Sequence, residues 1–114
     1  MTNVIVYRCE SPNYPDSHNH PPYKIRDWAK LPSPYNDNIG AMTPEEVCGC
    51  ISLNQFNKWW PKGSWLKKAT NNKYYIFSVP KKYIRKGKHQ VVFERSKAIK
   101  VGELTEYHKR IFYV

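Results

Sequence analysis

The chain has 114 residues, with 19 Lys+Arg against nine Asp+Glu and a formal net charge of +10. That length sets one domain over residues 1–114 with a core of its own; the 40% hydrophobic and 15% aromatic content excludes a disordered tail, and no run reaches the ~18–20 apolar residues of a membrane span. Three cysteines (Cys9, Cys48, Cys50) argue against a disulfide framework, and residues 1–7 lack the basic flank and cleavage site of a signal peptide, so a cytoplasmic protein is expected.

In chain order, Val4-Ile5-Val6-Tyr7 is a β-branched run that reads as a buried strand ending at Arg8. Residues 11–39 are rich in Pro, Asn, Asp, Ser and Tyr, and seven of the nine residues from Ser11 to Asn19 favour turns. A long loop is predicted there, with a short helix over Lys24–Lys30; loops of this length tend to be lids or binding loops. Thr43-Pro44-Glu45-Glu46 has the form of a capping box and predicts one or two helical turns. Cys48-Gly49-Cys50-Ile51 is apolar and extended. Ser52-Leu53-Asn54-Gln55 is a second capping box, opening a helix over Leu53–Trp60 with Leu53, Phe56 and Trp60 on one face and Pro61 as its stop. A further helical turn is suggested over Ser64–Ala69. Strands follow at Tyr74–Val79, His89–Phe93, Ala98–Leu104 and Ile111–Val114, the third alternating Ile99/Val101 with Lys100/Gly102. This order is α+β, with a small mixed or mainly antiparallel sheet and a few short helices.

The charge is unevenly placed. Residues 1–57 hold four basic and six acidic groups, whereas residues 58–114 hold fifteen basic and three acidic ones. Such asymmetry points to an acidic partner: nucleic acid, the phosphates of a nucleotide, or an acidic protein. The candidate surface is Lys58, Lys62, Lys67, Lys68, Lys81, Lys82, Arg85, Lys86 and Lys88. Trp59, Trp60, Trp65, Tyr74 and Tyr75 lie among these lysines and could supply stacking platforms. The plainer alternative is a solvated lysine face, and lysine is the less selective reader of phosphate.

Other chemistries lack their motifs. Cys48-Gly49-Cys50 is C-x-C with no second pair, and His18, His20, Asp16 and Asp37 show no ligand spacing, so no metal centre is expected. No nucleophile elbow, P-loop or G-x-G-x-x-G occurs. Acids are too few in the basic half for a magnesium nuclease.

Three separated segments together resemble the ADP-ribosyltransferases of the Arg-Ser-Glu type. Val6-Tyr7-Arg8 resembles the opening strand that ends in an arginine. Cys48-Gly49-Cys50-Ile51-Ser52-Leu53 resembles the strand bearing the Ser-Thr-Ser signature, with Cys50 at its first position and Ser52 at its last. Tyr75–Pro80, Gly87–Phe93 and Lys97–Val101 resemble the late strands, which place Gln90 where the family has its catalytic Glu. The resemblance implies a split sheet with NAD as cofactor. Arg8 would hold the diphosphate and Ser52 the nicotinamide ribose, Gln90 would hydrogen-bond the ribose, and Tyr7, Cys50 and Tyr74 or Tyr75 would line the cleft. The 11–39 segment would act as a lid, with His18, His20 and Asp37 contacting acceptor or nucleotide. Gln90 carries no carboxylate, Lys88 replaces the upstream Glu or Gln, and Glu94 lies ~13 Å further along an extended strand. The chain also resembles small phage-type proteins. That likeness carries little mechanism beyond placing a phage-encoded protein in the host cytoplasm. The expected function is an ADP-ribosyltransferase-like protein that uses or binds NAD and modifies or inhibits a host or defence factor; the alternative is a non-catalytic basic protein that engages nucleic acid or an acidic protein.

Overall fold

The computed structural model describes residues 2–10, 35–59 and 73–104, together with the backbone of 111–113. Among these residues seven strands and one α-helix form: β1 (Asn3–Glu10), β2 (Glu46–Gly49), α1 (Leu53–Trp59), β3 (Lys73–Pro80), β4 (Ile84–Lys86), β5 (Val91–Glu94), β6 (Ile99–Leu104) and β7 (Ile111–Tyr113). They make two antiparallel sheets, β1-β3-β6-β7 and β2-β5-β4. Among the described residues one backbone bridge joins the sheets, where the Tyr7 N–H donates to the Cys50 carbonyl at 2.7 Å and the Cys50 N–H donates back to the Tyr7 carbonyl at 2.8 Å. Neighbours therefore run β4-β5-β2-β1-β3-β6-β7 across the whole structure.

Alternation along β1 and β3 explains why both are apolar at most positions, outward and inward alike: both faces of the larger sheet are covered. Ile5, Tyr7, Cys9, Tyr74 and Ile76 point to α1 and pack with Phe56 and Trp59. Val4, Val6, Tyr75, Phe77 and Val79 point the other way, onto Val91 and Phe93 of the smaller sheet. Val92 and Cys48, on the far face of that smaller sheet, are covered by Ile39 and Met42. A register shift between Ile76 and Phe77 marks an irregularity in the β3–β6 pairing.

The α+β reading and the main strands stand, with four local corrections. β1 runs on through Glu10 rather than ending at Arg8, because the inward charges of Arg8 and Glu10 satisfy each other at 2.8 Å. The Thr43–Glu46 box makes a tight turn, not a helix; the Glu46 carboxylate accepts the Thr43 N–H at 2.9 Å while Glu46 itself opens β2. In α1 the buried aromatics are Phe56 and Trp59, so the face steps by three and three residues. β4 carries Arg85 and Lys86 on an exposed edge, where charged residues belong but give no periodic signal. The predicted helical segments at Lys24–Lys30 and Ser64–Ala69 lie outside the described residues, as do Trp60 and all but the end of the 11–39 loop, whose Tyr35–Asp37 forms a 3-10 turn. Among the described residues no helix is long and apolar enough to cross a membrane.

Gly49 sits at the junction of the two sheets. A Cβ there would lie 2.6 Å from Val6 Cγ1 and 2.9 Å from Phe93 Cε1. Gly49→Ala is therefore expected to destabilise the fold by about 1–3 kcal/mol, measured by denaturant unfolding. An unchanged midpoint would show that the junction has slack.

Candidate functional site

The second capping box forms as its sequence indicates. Ser52 Oγ accepts the Gln55 N–H at 3.0 Å, and Gln55 Oε1 accepts the Ile51 N–H at 3.0 Å. These bonds fix the first turn of α1 directly after the sheet junction. Facing α1 is the Gly87–Gln90 loop that joins β4 to β5, closed by a Gly87 N–H to Gln90 carbonyl bond of 2.8 Å. Trp59 ties the two walls together, its indole N–H donating to the His89 carbonyl at 2.8 Å. Between them lies a cleft of about 220 Å³ lined by Ser52, Asn54, Gln55, Lys58, Trp59, Lys88 and His89.

The loop wall is built on Asp37. Its carboxylate accepts the backbone N–H groups of Lys88 (3.1 Å), His89 (2.8 Å) and Gln90 (3.1 Å), and lies 3.0 Å from His89 Nδ1. Three successive amides aimed at one carboxylate offset the cost of burying it. A side chain at Gly87 would collide with that carboxylate, which requires glycine at this position.

The residues singled out in the sequence fall into three groups. Ser52, Lys58 and Lys88 line the cleft. Tyr7, Cys50 and Tyr74 lie in the core beneath α1, Tyr75 lies between the sheets, and Gln90 is 0% exposed behind the loop. Arg8 is 4% exposed, its Nε donating to Glu10 at 2.8 Å and its Nη1 to the Cys48 carbonyl at 2.7 Å. Arg95 donates to the same Glu10 carboxylate at 3.1 and 2.8 Å, and Lys100 lies 4.0 Å from it. Burial foremost, with the charges of Glu103, Glu10 and the Cys9 thiol behind it, pushes the Tyr75 phenol up.

Among the basic candidates, Arg85 is committed to the fold: it holds Glu46 at 2.9 and 2.7 Å and the carbonyls of Ile39 and Ala41. Lys81, Lys82 and Lys86 are exposed, whereas Lys62, Lys67 and Lys68 lie outside the described residues, as do His18, His20 and Asp16. No group of three His, Cys, Asp or Glu side chains suited to a metal ion occurs among the described residues. The Asp37–His89 pair was not evident in the sequence, where 52 residues separate its members. Asp37 stood out there as a loop acid beside His18 and His20 that could contact acceptor or nucleotide, and His89 as the first residue of a strand.

Two outcomes follow from these environments. Burial pushes the Cys48 thiol up to about 12 and raises the Cys50 thiol as well. A thiol reagent near neutral pH is therefore expected to find Cys9, Cys48 and Cys50 silent in the folded protein and reactive after denaturation. The Arg85 guanidinium holds the Glu46 carboxyl below its ordinary value of 4.5. This pair stabilises the fold above the unfolded-state pKa and is lost as pH falls through the lowered folded value. Glu46→Gln should then reduce the steepness of acid unfolding followed by circular dichroism, whereas an unchanged acid limb would leave the pair without that role.

No curated protein and no solved structure matches the chain. A family model described as Bacteriophage T4 Y00F protein matches residues 1–106, nearly the whole length. On that match the chain belongs to this phage protein family.

Proposed function

We propose that this phage-family protein binds NAD or a related nucleotide in the α1/87–90 cleft, on an ADP-ribosyltransferase-like split sheet. One observation carries the reading: β1, β2 and β5 are consecutive neighbours in space. These are the strands whose ends hold the Arg8, Ser52 and Gln90 segments of the resemblance, separated in sequence by some forty residues at each step. That neighbouring strands carry these three segments supports the reading, although Arg8 and Gln90 are buried and only Ser52 of the three lines the cleft.

The roles are redistributed in this reading. Arg8 joins β1 to the Cys48 carbonyl of β2 and so holds the two sheets in register, without lining the cleft. Positive charge toward the ligand comes from Lys58 and Lys88. Ser52 lines the cleft, and Gln90 is buried at the end of the loop, where its backbone N–H donates to Asp37. Without a carboxylate at Gln90, the reading rests on ligand binding and requires no transfer step.

A second reading draws on the far side of the basic half. Lys82 and Lys97 both lie over the Tyr83 ring, at 5.2 and 5.5 Å from its centre. Two ammonium groups gathered on one aromatic favour an acidic macromolecule, protein or nucleic acid, as a partner for that surface.

Calorimetric titration of the full chain with NAD, and separately with a single-stranded oligonucleotide over a range of salt, distinguishes the two. Saturable NAD binding that Lys58→Ala/Lys88→Ala weakens by about tenfold or more supports the cleft. Absence of NAD binding, with oligonucleotide binding that falls steeply with salt and is lost in Lys82→Gln/Lys97→Gln, would replace it with the surface reading.

A further inference from the structure

At about 220 Å³ the cleft is smaller than the ~300–1,000 Å³ that encloses a whole small-molecule ligand, and suits a sugar phosphate. Its walls carry two ammonium groups, Lys58 from α1 and Lys88 from the loop, and one imidazole, His89. That imidazole is held from behind. Its Nδ1 is 3.0 Å from Asp37, whose side chain is 2% exposed, while His89 is 32% exposed.

Both oxygens of Asp37 already accept backbone N–H groups, so the carboxylate acts as an acceptor and the Nδ1 contact places the ring proton on Nδ1. In the neutral imidazole Nε2 is then the acceptor, on a ring that lines the cleft. Fully buried Gln90, the next residue, is where the resemblance would put a ribose-contacting carboxylate. The acceptor in the cleft wall stands one position earlier, and a buried carboxylate backs it.

We propose that His89, positioned by Asp37, accepts a hydrogen bond from a sugar hydroxyl while Lys58 and Lys88 meet the adjacent phosphate, so that the cleft recognises a ribose phosphate. The proposal rests on the nucleotide reading for the site's location and names the fragment that the site recognises. Asp37 is a positioning residue, because it meets the ligand only through His89.

The test titrates the full chain with ribose 5-phosphate, ribose, inorganic phosphate and NAD. Ribose 5-phosphate is expected to bind about tenfold or more tightly than either ribose or phosphate alone. Lys58→Ala/Lys88→Ala should weaken ribose 5-phosphate and phosphate together. His89→Ala should bring ribose 5-phosphate down to the level of phosphate, and His89→Gln, whose amide oxygen is also an acceptor, should retain part of the difference. The imidazole nitrogen spectrum supplies a readout that a purely structural Asp37 would not move: the proton sits on Nδ1 in the wild type, Nε2 shifts on adding ribose 5-phosphate, and Asp37→Asn redistributes the proton. Ribose 5-phosphate that binds no better than phosphate, or a His89→Ala variant with wild-type affinity, overturns the proposal. NAD binding without ribose 5-phosphate binding overturns it and leaves the nucleotide reading standing. Ribose 5-phosphate binding without NAD binding does the reverse, and binding of neither removes both.

Discussion

Glu10 is a fully buried carboxylate at the end of β1, and the two sheets depend on how its charge is met. Arg8 approaches from the same strand, Arg95 from the turn after β5, and Lys100 from β6. Arg8 also reaches across to the Cys48 carbonyl of β2. A single carboxylate therefore connects elements of both sheets at the place where the backbone ladder between them narrows to one bridge. Such a network adds little net stability over well-packed apolar side chains, but leaving one of its charges unpaired costs about 3–5 kcal/mol. Its effect is to penalise any arrangement of β1 against β2 other than the observed one. Aromatic rings complete the enclosure: Arg95 lies 4.5 Å from the centre of Phe77 and Lys100 lies 3.6 Å from the centre of Tyr75. Burial foremost holds the Lys100 ammonium below its ordinary range, as expected for a cation drawn into this layer.

From that seam the constraint passes to the cleft in short steps. Cys50 bridges Tyr7, and two residues later Ser52 caps α1, so the helix begins where the junction places it. Phe56 and Trp59 anchor the helix on the larger sheet, Phe56 meeting Tyr74 edge-on at 5.2 Å between ring centres. Trp59 then fixes His89 by its carbonyl, while Asp37 fixes it by its amide and its ring. The loop is held from both sides before any ligand arrives. Such preorganisation lowers the ordering cost of binding, which matters for a cleft too small to supply a large apolar contact.

What could be read from the sequence follows the same physics. β1 and β3 were legible because a strand covered on both faces is apolar at nearly every position, and α1 was legible because Ser52 and Gln55 carry a capping signal independent of tertiary contacts. The Thr43–Glu46 signal has the same residue types, yet Glu46 is claimed by Arg85 and by the pairing of β2 with β5, so the turn does not propagate into a helix. Tertiary pairing outweighs a local cap of about 1 kcal/mol. Arg8 and Glu10 read as the polar end of a strand because a buried ion pair is recognisable only once its partner from the turn after β5 is known. Asp37 and His89 were hidden for the same reason. A polar residue in a turn-rich segment gives no sign of which distant amides it will collect.

The excess of positive charge divides in the same way. Arg85 is bound to Glu46 and two carbonyls, and Arg95 and Lys100 surround Glu10, so these three basic groups serve the fold's own carboxylates. Lys58 and Lys88 stand on opposite walls of the cleft. Lys82 and Lys97 gather on Tyr83, on the turns flanking β4 and β5. Among the described residues, these basic groups thus fall into three sets with different energetics. Arg8 and Arg95, drawn in around Glu10, are shielded from salt, whereas the exposed lysines feel it fully over a Debye length of about 8–10 Å. Salt therefore acts mainly on the cleft and on the Tyr83 surface, leaving the seam that orders them largely unaffected. Ionic strength is the variable that separates the charges holding this protein together from those available to a ligand.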